Sequence, residues 1–275
     1  MTFDKTVSSM SIVNASARAR ESRRRDCLIS DPYAEKLSVD VDHDLLSKLG
    51  DIFVETVVIT SRFFDDAISV FLSEGVTQVV VLGAGMDSRP YRLKELRNSS
   101  VKWIEVDFKP VLDYKEEKLS GDVPLCTLHR IGTNILKPGM FDALAGIGWS
   151  NSIPTLWVIE GVFHYLAEDQ VRTVLLGIRE NSASGSGILF SAVSDGSLSH
   201  TNKLLETRDL LRSRGSPMTF FLNSPKEFVA SLGFSGIDIK FLGHSDLHFG
   251  RLPWPPSEVP PAGFTTQWYI KAFVP

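Results

Sequence analysis

The sequence predicts an α/β fold: a parallel sheet with helices on both faces, behind a helical N-terminal cap. Three observations predict it. Val79, Val80, Val81 and Leu82 form an unbroken aliphatic run, the mark of a strand buried on both faces, and Gly83-Ala84-Gly85 follows at once. Residues 101–107 (VKWIEVD) form a second strand that ends in an acid. Beyond them strand-like and helix-like segments alternate, the pattern of a sheet whose sites lie at its C-terminal edge.

The glycine turn points to a nucleotide. Two glycines at this spacing let the backbone turn sharply and approach a ligand, since no Cβ intervenes. Pro90 suits the first turn of the helix that follows. A dinucleotide fingerprint wants a third glycine three residues after the second, and Ser88 stands there. This weakens NAD or FAD and leaves an adenosyl ligand without a pyrophosphate. Asp107, at the tip of the second strand, is placed to accept hydrogen bonds from ribose hydroxyls. Glu105 shares its side of the strand but lies further from the edge.

The chain ahead of the first strand reads as helix. Residues 14–26 (NASARARESRRRD) carry Arg18, Arg20, Arg23, Arg24 and Arg25. Most suit a solvated face; one or two turned inward would hold a carboxylate, which the guanidinium fork fits. Asp31-Pro32 makes a turn or helix start. Residues 51–73 read as one long helix, with Val54, Val57, Val58, Ile68, Phe71 and Leu72 at helical spacing. Within it Arg62 lies between apolar stretches, where an unpaired charge is costly. It either pairs with Asp65 or Asp66 one turn on or meets a ligand anion.

After the glycine turn come a short helix at 91–96, the strand at 101–107 and a helix at 110–120 that leaves Lys109 and Lys115 solvated. Residues 124–131 form a third strand. Asn134 follows it at the same sheet edge, where its amide meets an adenine edge or simply shapes a loop. Residues 154–161 (PTLWVIEG) form a fourth strand that brings Glu160 to the edge, where it would pair with a cationic amine. His164 and Tyr165 lie just beyond. His164 is either a general base or packing beside Phe163. A helix at 167–181, a strand at 186–194 and a polar helix at 198–212 follow. Ser224-Pro225-Lys226-Glu227 is a capping box that opens a short helix, and Gly233 ends it. Strands at 237–242 and 264–273 complete the sheet. Between them His244, Asp246 and His248 have no further His or Cys nearby, so the segment reads as a proline-rich loop rather than a metal site. Trp254 in that loop can wall a substrate pocket.

The 275 residues allow a sizeable core. The net charge of −4 argues against a nucleic-acid binder. Cys27 and Cys126 are the two cysteines, so a reducing compartment is the default. With no bilayer-length apolar run and no signal-peptide core near the start, the expectation is a cytoplasmic protein without membrane or nucleic-acid partners.

The set SRFFDDAI, VLGAGMDSRPYRL, WIEVDFKPVLDYKEEKL and PTLWVIEGVFHYL resembles the leucine carboxyl methyltransferase family, from about residue 17 to residue 166. It looks closest to the bacterial S-adenosylmethionine-dependent O-methyltransferases of polyketide and related specialised metabolism. The resemblance implies the class I methyltransferase fold, a seven-stranded sheet with its last strand antiparallel, and a single domain over 1–275. Within it 1–75 would be the cap and 76–275 the core, with a proline-rich loop near 245–263. It further implies that Gly83, Ala84 and Gly85 face the methionine part of the cofactor, that Asp107 binds the ribose, and that Asn134 and Ile135 meet the adenine. Glu160 would approach the cofactor amine. Arg62 would hold a carboxylate of cofactor or substrate, with Arg18 or Arg20 near it. His164 and Tyr165 would stand beside the transferred methyl.

The expected activity is methyl transfer to an oxygen of a small molecule, with a carboxylate ahead of a hydroxyl. A carboxylate is already nucleophilic and needs chiefly positioning, worth roughly 7–11 kcal/mol; a hydroxyl would need His164 as base. The rivals are methylation of a protein C-terminus, an NAD-dependent oxidoreductase, and a non-catalytic adenosyl-binding protein.

Overall fold

The computed structural model describes residues 5–97, 99–195, 202–215, 217–260 and 266–275. The strands are β1 (Gln78–Leu82), β2 (Lys102–Asp107), β3 (Thr127–Gly132), β4 (Thr155–Ile159), β5 (Gly187–Val193), β6 (Ser235–Phe241) and β7 (Gln267–Phe273). They form one seven-stranded sheet in the order β3-β2-β1-β4-β5-β7-β6. β1 to β5 pair in parallel, and β7 runs antiparallel between β5 and β6. The aliphatic run is thus the central strand, buried along its whole length, and chain order reverses between it and β4.

Helices cover both faces. On one, Val80, Ile104, Trp157, Ile188 and Ile270 pack with Val171, Val174, Leu175 and Ile178, the buried stripe of the helix Glu168–Glu180. On the other, Val79, Val81, Trp103, Leu156 and Leu189 pack with Ile59, Phe64, Ile68 and Phe71. Burying a side chain of this kind contributes about 1.5–3 kcal/mol.

The cap comprises α1 (Lys5–Ser22), α2 (Ala34–Leu37) and α3 (His43–Ser73). α3 starts earlier than its apolar spacing suggested. Asp42 caps it by accepting the Leu45 N–H at 2.9 Å, and Gly50, at φ 77°, breaks it where the predicted helix would begin. Met10 and Val13 of α1 pack on Leu45 and Leu49 of α3. Among the described residues no helix is long and apolar enough to cross a membrane.

Several expectations need correction. Lys115 is not solvated. It is fully buried on the helix Lys109–Lys118, with Nζ 2.7 Å from Glu105. Glu105 faces inward from β2 with no exposed surface, and an acid so placed requires cations. Arg130 supplies another, 3.0 Å away, and also holds the Tyr91 hydroxyl at 2.8 Å. Lys109 does lie at the surface, paired with Asp113. The helix Pro225–Ser231 starts where expected, but Ser224 makes no side-chain cap. The third strand begins late because the Leu125 N–H goes to the Pro90 carbonyl at 2.7 Å. Parts of the predicted helix at 198–212, of the last strand and of the proline-rich loop, namely residues 198–201, 264–265 and 261–263, lie outside the described residues.

Lys115→Met removes one of two cations from a buried carboxylate. The variant is expected to lose about 3 kcal/mol of stability in urea unfolding, the low end for breaking a buried pair because Arg130 stays.

Candidate active site

A cavity of about 1080 Å³ lies across the C-terminal ends of the strands. It is at the upper limit for small-molecule sites, roughly 300–1,000 Å³, so it has room for two ligands together. Its floor is the glycine turn after β1. Gly83 and Gly85 both have positive φ, 73° and 44°. A Cβ on Gly83 would stand 2.3 Å from Val162 Cγ2, and one on Gly85 would stand 3.0 Å from Ser11 Cβ. Both therefore need glycine for conformation and for space, and α1 leans directly over the turn.

Asp107 closes this side. Its Oδ2 accepts the Gly85 N–H and its Oδ1 the Phe108 N–H, both at 2.7 Å. Each oxygen keeps a lone pair, which suits a vicinal diol. Burial raises its pKa, and the two N–H bonds offset only part of that rise. Thr133, Asn134 and Ile135 line the cavity beside it. Asn134 Oδ1 accepts the Leu136 N–H at 2.9 Å, so its side chain also shapes the loop.

Arg89 is the charge at the centre of the site. Its Nε meets Asp65 at 2.7 Å, Nη1 meets Asp87 at 3.2 Å and Nη2 meets Glu160 at 2.8 Å. Arg92 also clasps Asp65, at 2.6 Å. Arg18 pairs with Asp31 at 2.9 Å and donates to the Met86 carbonyl at 2.6 Å. Burial works against the Arg89 charge, yet Asp87, Glu160 and Asp65 outweigh it and raise its pKa. Burial likewise works against the charges on Asp31 and Asp65, and their guanidinium partners bring both below the usual carboxylate range.

The predicted site residues divide accordingly. Arg18, Gly83, Ala84, Gly85, Asp107, Asn134, Ile135, Glu160, His164 and Tyr165 all line the cavity. Arg20 is at the surface with Asp51, which separates it from Arg18. Arg62 is the exception. It pairs with Asp66 at 2.7 Å, donates to the Leu28 carbonyl at 3.0 Å and does not line the cavity. Arg89 stands at the cavity wall instead. Its signal was present in MDSRPYRL, where two arginines flank a proline beside a buried strand and must find acids. Ser88 occupies the third-glycine position by donating to Asp31 at 2.7 Å and accepting from Arg92 at 3.1 Å. His244 and His248 organise the proline-rich loop. His244 Nδ1 accepts the Asp246 N–H, and His248 Nε2 lies 2.5 Å from the Trp254 carbonyl. Trp254 lines the cavity.

The opposite side is apolar, with Leu49, Ile52, Phe53, Val57 and Met218 from the cap and later loops. His164 and Tyr165 stand at its margin, their rings 4.1 Å apart. Burial lowers the His164 pKa to about 4, so its imidazole is neutral at pH 7.

The model for the family described as leucine carboxyl methyltransferase matches residues 11–179, more than half of the chain. The chain belongs to the leucine carboxyl methyltransferase family. The matched stretch holds the glycine turn, Asp107, the Arg89 cluster and His164. A Saccharopolyspora erythraea relative is 33% identical over 189 residues, 65% of each chain. One from Streptomyces coelicolor is 35% identical over 183 residues, 62% of this chain and 64% of its own. The match thus spans just under two thirds of both relatives. One from Mycolicibacterium gilvum is 31% identical over 231 residues, 75% of each chain. The names of all three propose S-adenosyl-L-methionine-dependent methyl transfer. Among solved structures, a DUF574-family protein from Streptomyces avermitilis superposes with a TM-score of 0.63 at 13% identity, over 94% of this chain and 97% of its own. A Thermobifida fusca protein whose name proposes a methyltransferase gives 0.58 at 14% identity, over 94% of each. At such identities the likeness concerns the fold, which is the class I methyltransferase fold of the family.

His164 gives the site a pH signature. Its folded pKa of about 4 lies below the ordinary value of about 6.5, so between these values the unfolded chain binds the proton and the folded chain does not. Its contribution to stability is complete above pH 6.5 and is lost as the pH falls towards 4. His164→Gln is expected to flatten that acid limb in urea unfolding measured from pH 4 to pH 7.

Proposed function

We propose that this protein is an S-adenosylmethionine-dependent O-methyltransferase acting on a small molecule. The observation that supports this most is Asp107, a carboxylate fixed by two main-chain N–H groups beside a turn of bare backbone. A ribose diol fits there. Asn14 Oδ1 is buried in the same wall without a hydrogen-bond partner among the described residues, and a buried acceptor of this kind suits an ammonium group. Glu160 can share in that pairing. Ser88, committed to Asp31 and Arg92, leaves no third-glycine approach for a pyrophosphate.

S-adenosylmethionine supplies, when bound, an electrophilic methyl on a sulfonium. The residues of this chain have the remaining tasks. The apolar wall holds the acceptor and excludes water. Asp107 and the glycine turn fix the position of the adenosyl end, and His164 with Tyr165 borders both halves of the cavity. From sequence a carboxylate acceptor came first. In the structure the cations of the wall, Arg18, Arg89 and Arg92, are already paired with carboxylates, and His164 is neutral at pH 7. A hydroxyl acceptor therefore takes first place, and His164 is the group placed to take its proton, although burial makes it a weaker proton acceptor than an ordinary imidazole. A specialised metabolite of phenol or enol type fits this reading.

S-adenosylhomocysteine at about 100 times its dissociation constant is expected to add roughly 2.7 kcal/mol of stability, and NAD none. Asp107→Ala should abolish the shift. A thermal shift with NAD alone would sink the assignment. With a hydroxyl acceptor, His164→Ala is expected to lower kcat by about 10²–10⁴. Undiminished turnover would return the carboxylate to first place.

A further inference from the structure

The two halves of the cavity differ in charge. The Asp, Glu and Arg residues among its described lining are Arg18, Asp87, Arg89, Arg92, Asp107 and Glu160, all grouped around the glycine turn and the adjoining strand ends. The other half, walled by Leu49, Phe53, Val57, Met218 and Trp254, has no charged side chain among the described residues. Its polar atoms include those of Thr60, Thr266 and Gln267, where β7 reaches the sheet edge.

The hydrogen bonds at that wall have one consistent direction. Thr60 Oγ1 donates to the Thr56 carbonyl at 2.7 Å. It also lies 3.1 Å from the Tyr269 hydroxyl and 2.8 Å from Gln267 Nε2. A hydroxyl has one proton and two lone pairs. With its proton directed to Thr56, Thr60 accepts from both Tyr269 and Gln267. This fixes the Gln267 amide with Nε2 towards Thr60 and leaves Oε1 as the atom it can offer to a ligand. Beside it Thr266 is 5% exposed, and its Oγ1 is buried without a hydrogen-bond partner among the described residues. A buried polar group needs a partner, and the described residues supply none here.

We propose that the acceptor is an uncharged, largely apolar hydroxyl compound, anchored through a hydroxyl other than the one methylated, which donates a hydrogen bond to Gln267 Oε1 with Thr266 beside it. The proposal rests on the methyltransferase reading of the cavity. A carboxylate at this wall would face an acceptor oxygen with no cation beside it, and its desolvation would go uncompensated. The neutral ring of His164 adds no charge at the margin.

The test is calorimetric titration of the full chain with 1-naphthol, 1-naphthoate and 1-methylnaphthalene, each with and without S-adenosylhomocysteine. The naphthol is expected to bind at least about tenfold more tightly than the naphthoate. Gln267→Leu should weaken naphthol binding by about five- to tenfold, the effect of one hydrogen bond, and leave methylnaphthalene binding unchanged. Thr60→Val is the second variant, in case the first does not fold. It frees the amide to turn and present Nε2, so the preference for naphthol over naphthoate should shrink. Naphthoate binding as tightly as naphthol, naphthol binding indifferent to both variants, or no binding of either probe at millimolar concentration would overturn the proposal. Failure of S-adenosylhomocysteine to bind would instead remove the methyltransferase reading, and the titrations without it keep the two failures separate.

Discussion

Arg89 has to be neutralised, and much of the site follows from how this is done. A guanidinium withdrawn from water at the end of the central strand is tolerable only if acids converge on it. Asp65 comes from α3, Asp87 from the glycine turn and Glu160 from the end of β4. Three parts of the chain that are remote in sequence are thereby held at one point. Asp65 passes the constraint to Arg92, and Asp31 extends it to Arg18 and so to α1. The cap is held against the sheet by this chain of ion pairs as well as by apolar contact. The cluster as a whole has three guanidiniums, Arg18, Arg89 and Arg92, and four carboxylates, Asp31, Asp65, Asp87 and Glu160, so the cluster is slightly negative.

How legible each part was in the sequence follows from how local its cause is. The sheet was legible because burial on both faces writes an aliphatic run and a glycine turn interrupts it. Asp107 was legible because a strand tip is a position in sequence as well as in space. Arg62 and Arg89 show the limit. Both are arginines among apolar residues, both have acids within a turn or so, and periodicity does not reveal which one faces the cavity. The answer depends on the rotation of α3 against β1, a tertiary quantity. Lys115 shows the same limit from the other side: a lysine on a short helix reads as solvated unless the acid beneath it, ten residues earlier on β2, is known to point inward.

The apolar half of the cavity was the least legible region. Its walls come from α1, α3, the loop at Trp254 and the start of β7, so no contiguous motif describes it. Trp254 was suggested by its proline-rich setting. Gln267 and Thr60 had no such signal, since an amide at a strand start and a threonine in a helix are ordinary until they meet. The orientation of the Gln267 amide is a property of four groups together and belongs to no single one of them.

Burial acts first on Asp87 and Asp107 and leaves the Asp107 pKa raised; Lys115 pulls against it at both, although it lines no part of the cavity. It is sealed from solvent, with no exposed surface. Mobile ions screen exposed charges over about 8 Å at physiological ionic strength but reach buried ones far less. The field that Lys115 exerts on the cavity carboxylates is therefore largely insensitive to salt, whereas the surface pairs of Arg20, Arg23 and Lys109 weaken as salt rises. That part of the field at the cavity floor is thus insulated from the ionic composition of the surroundings.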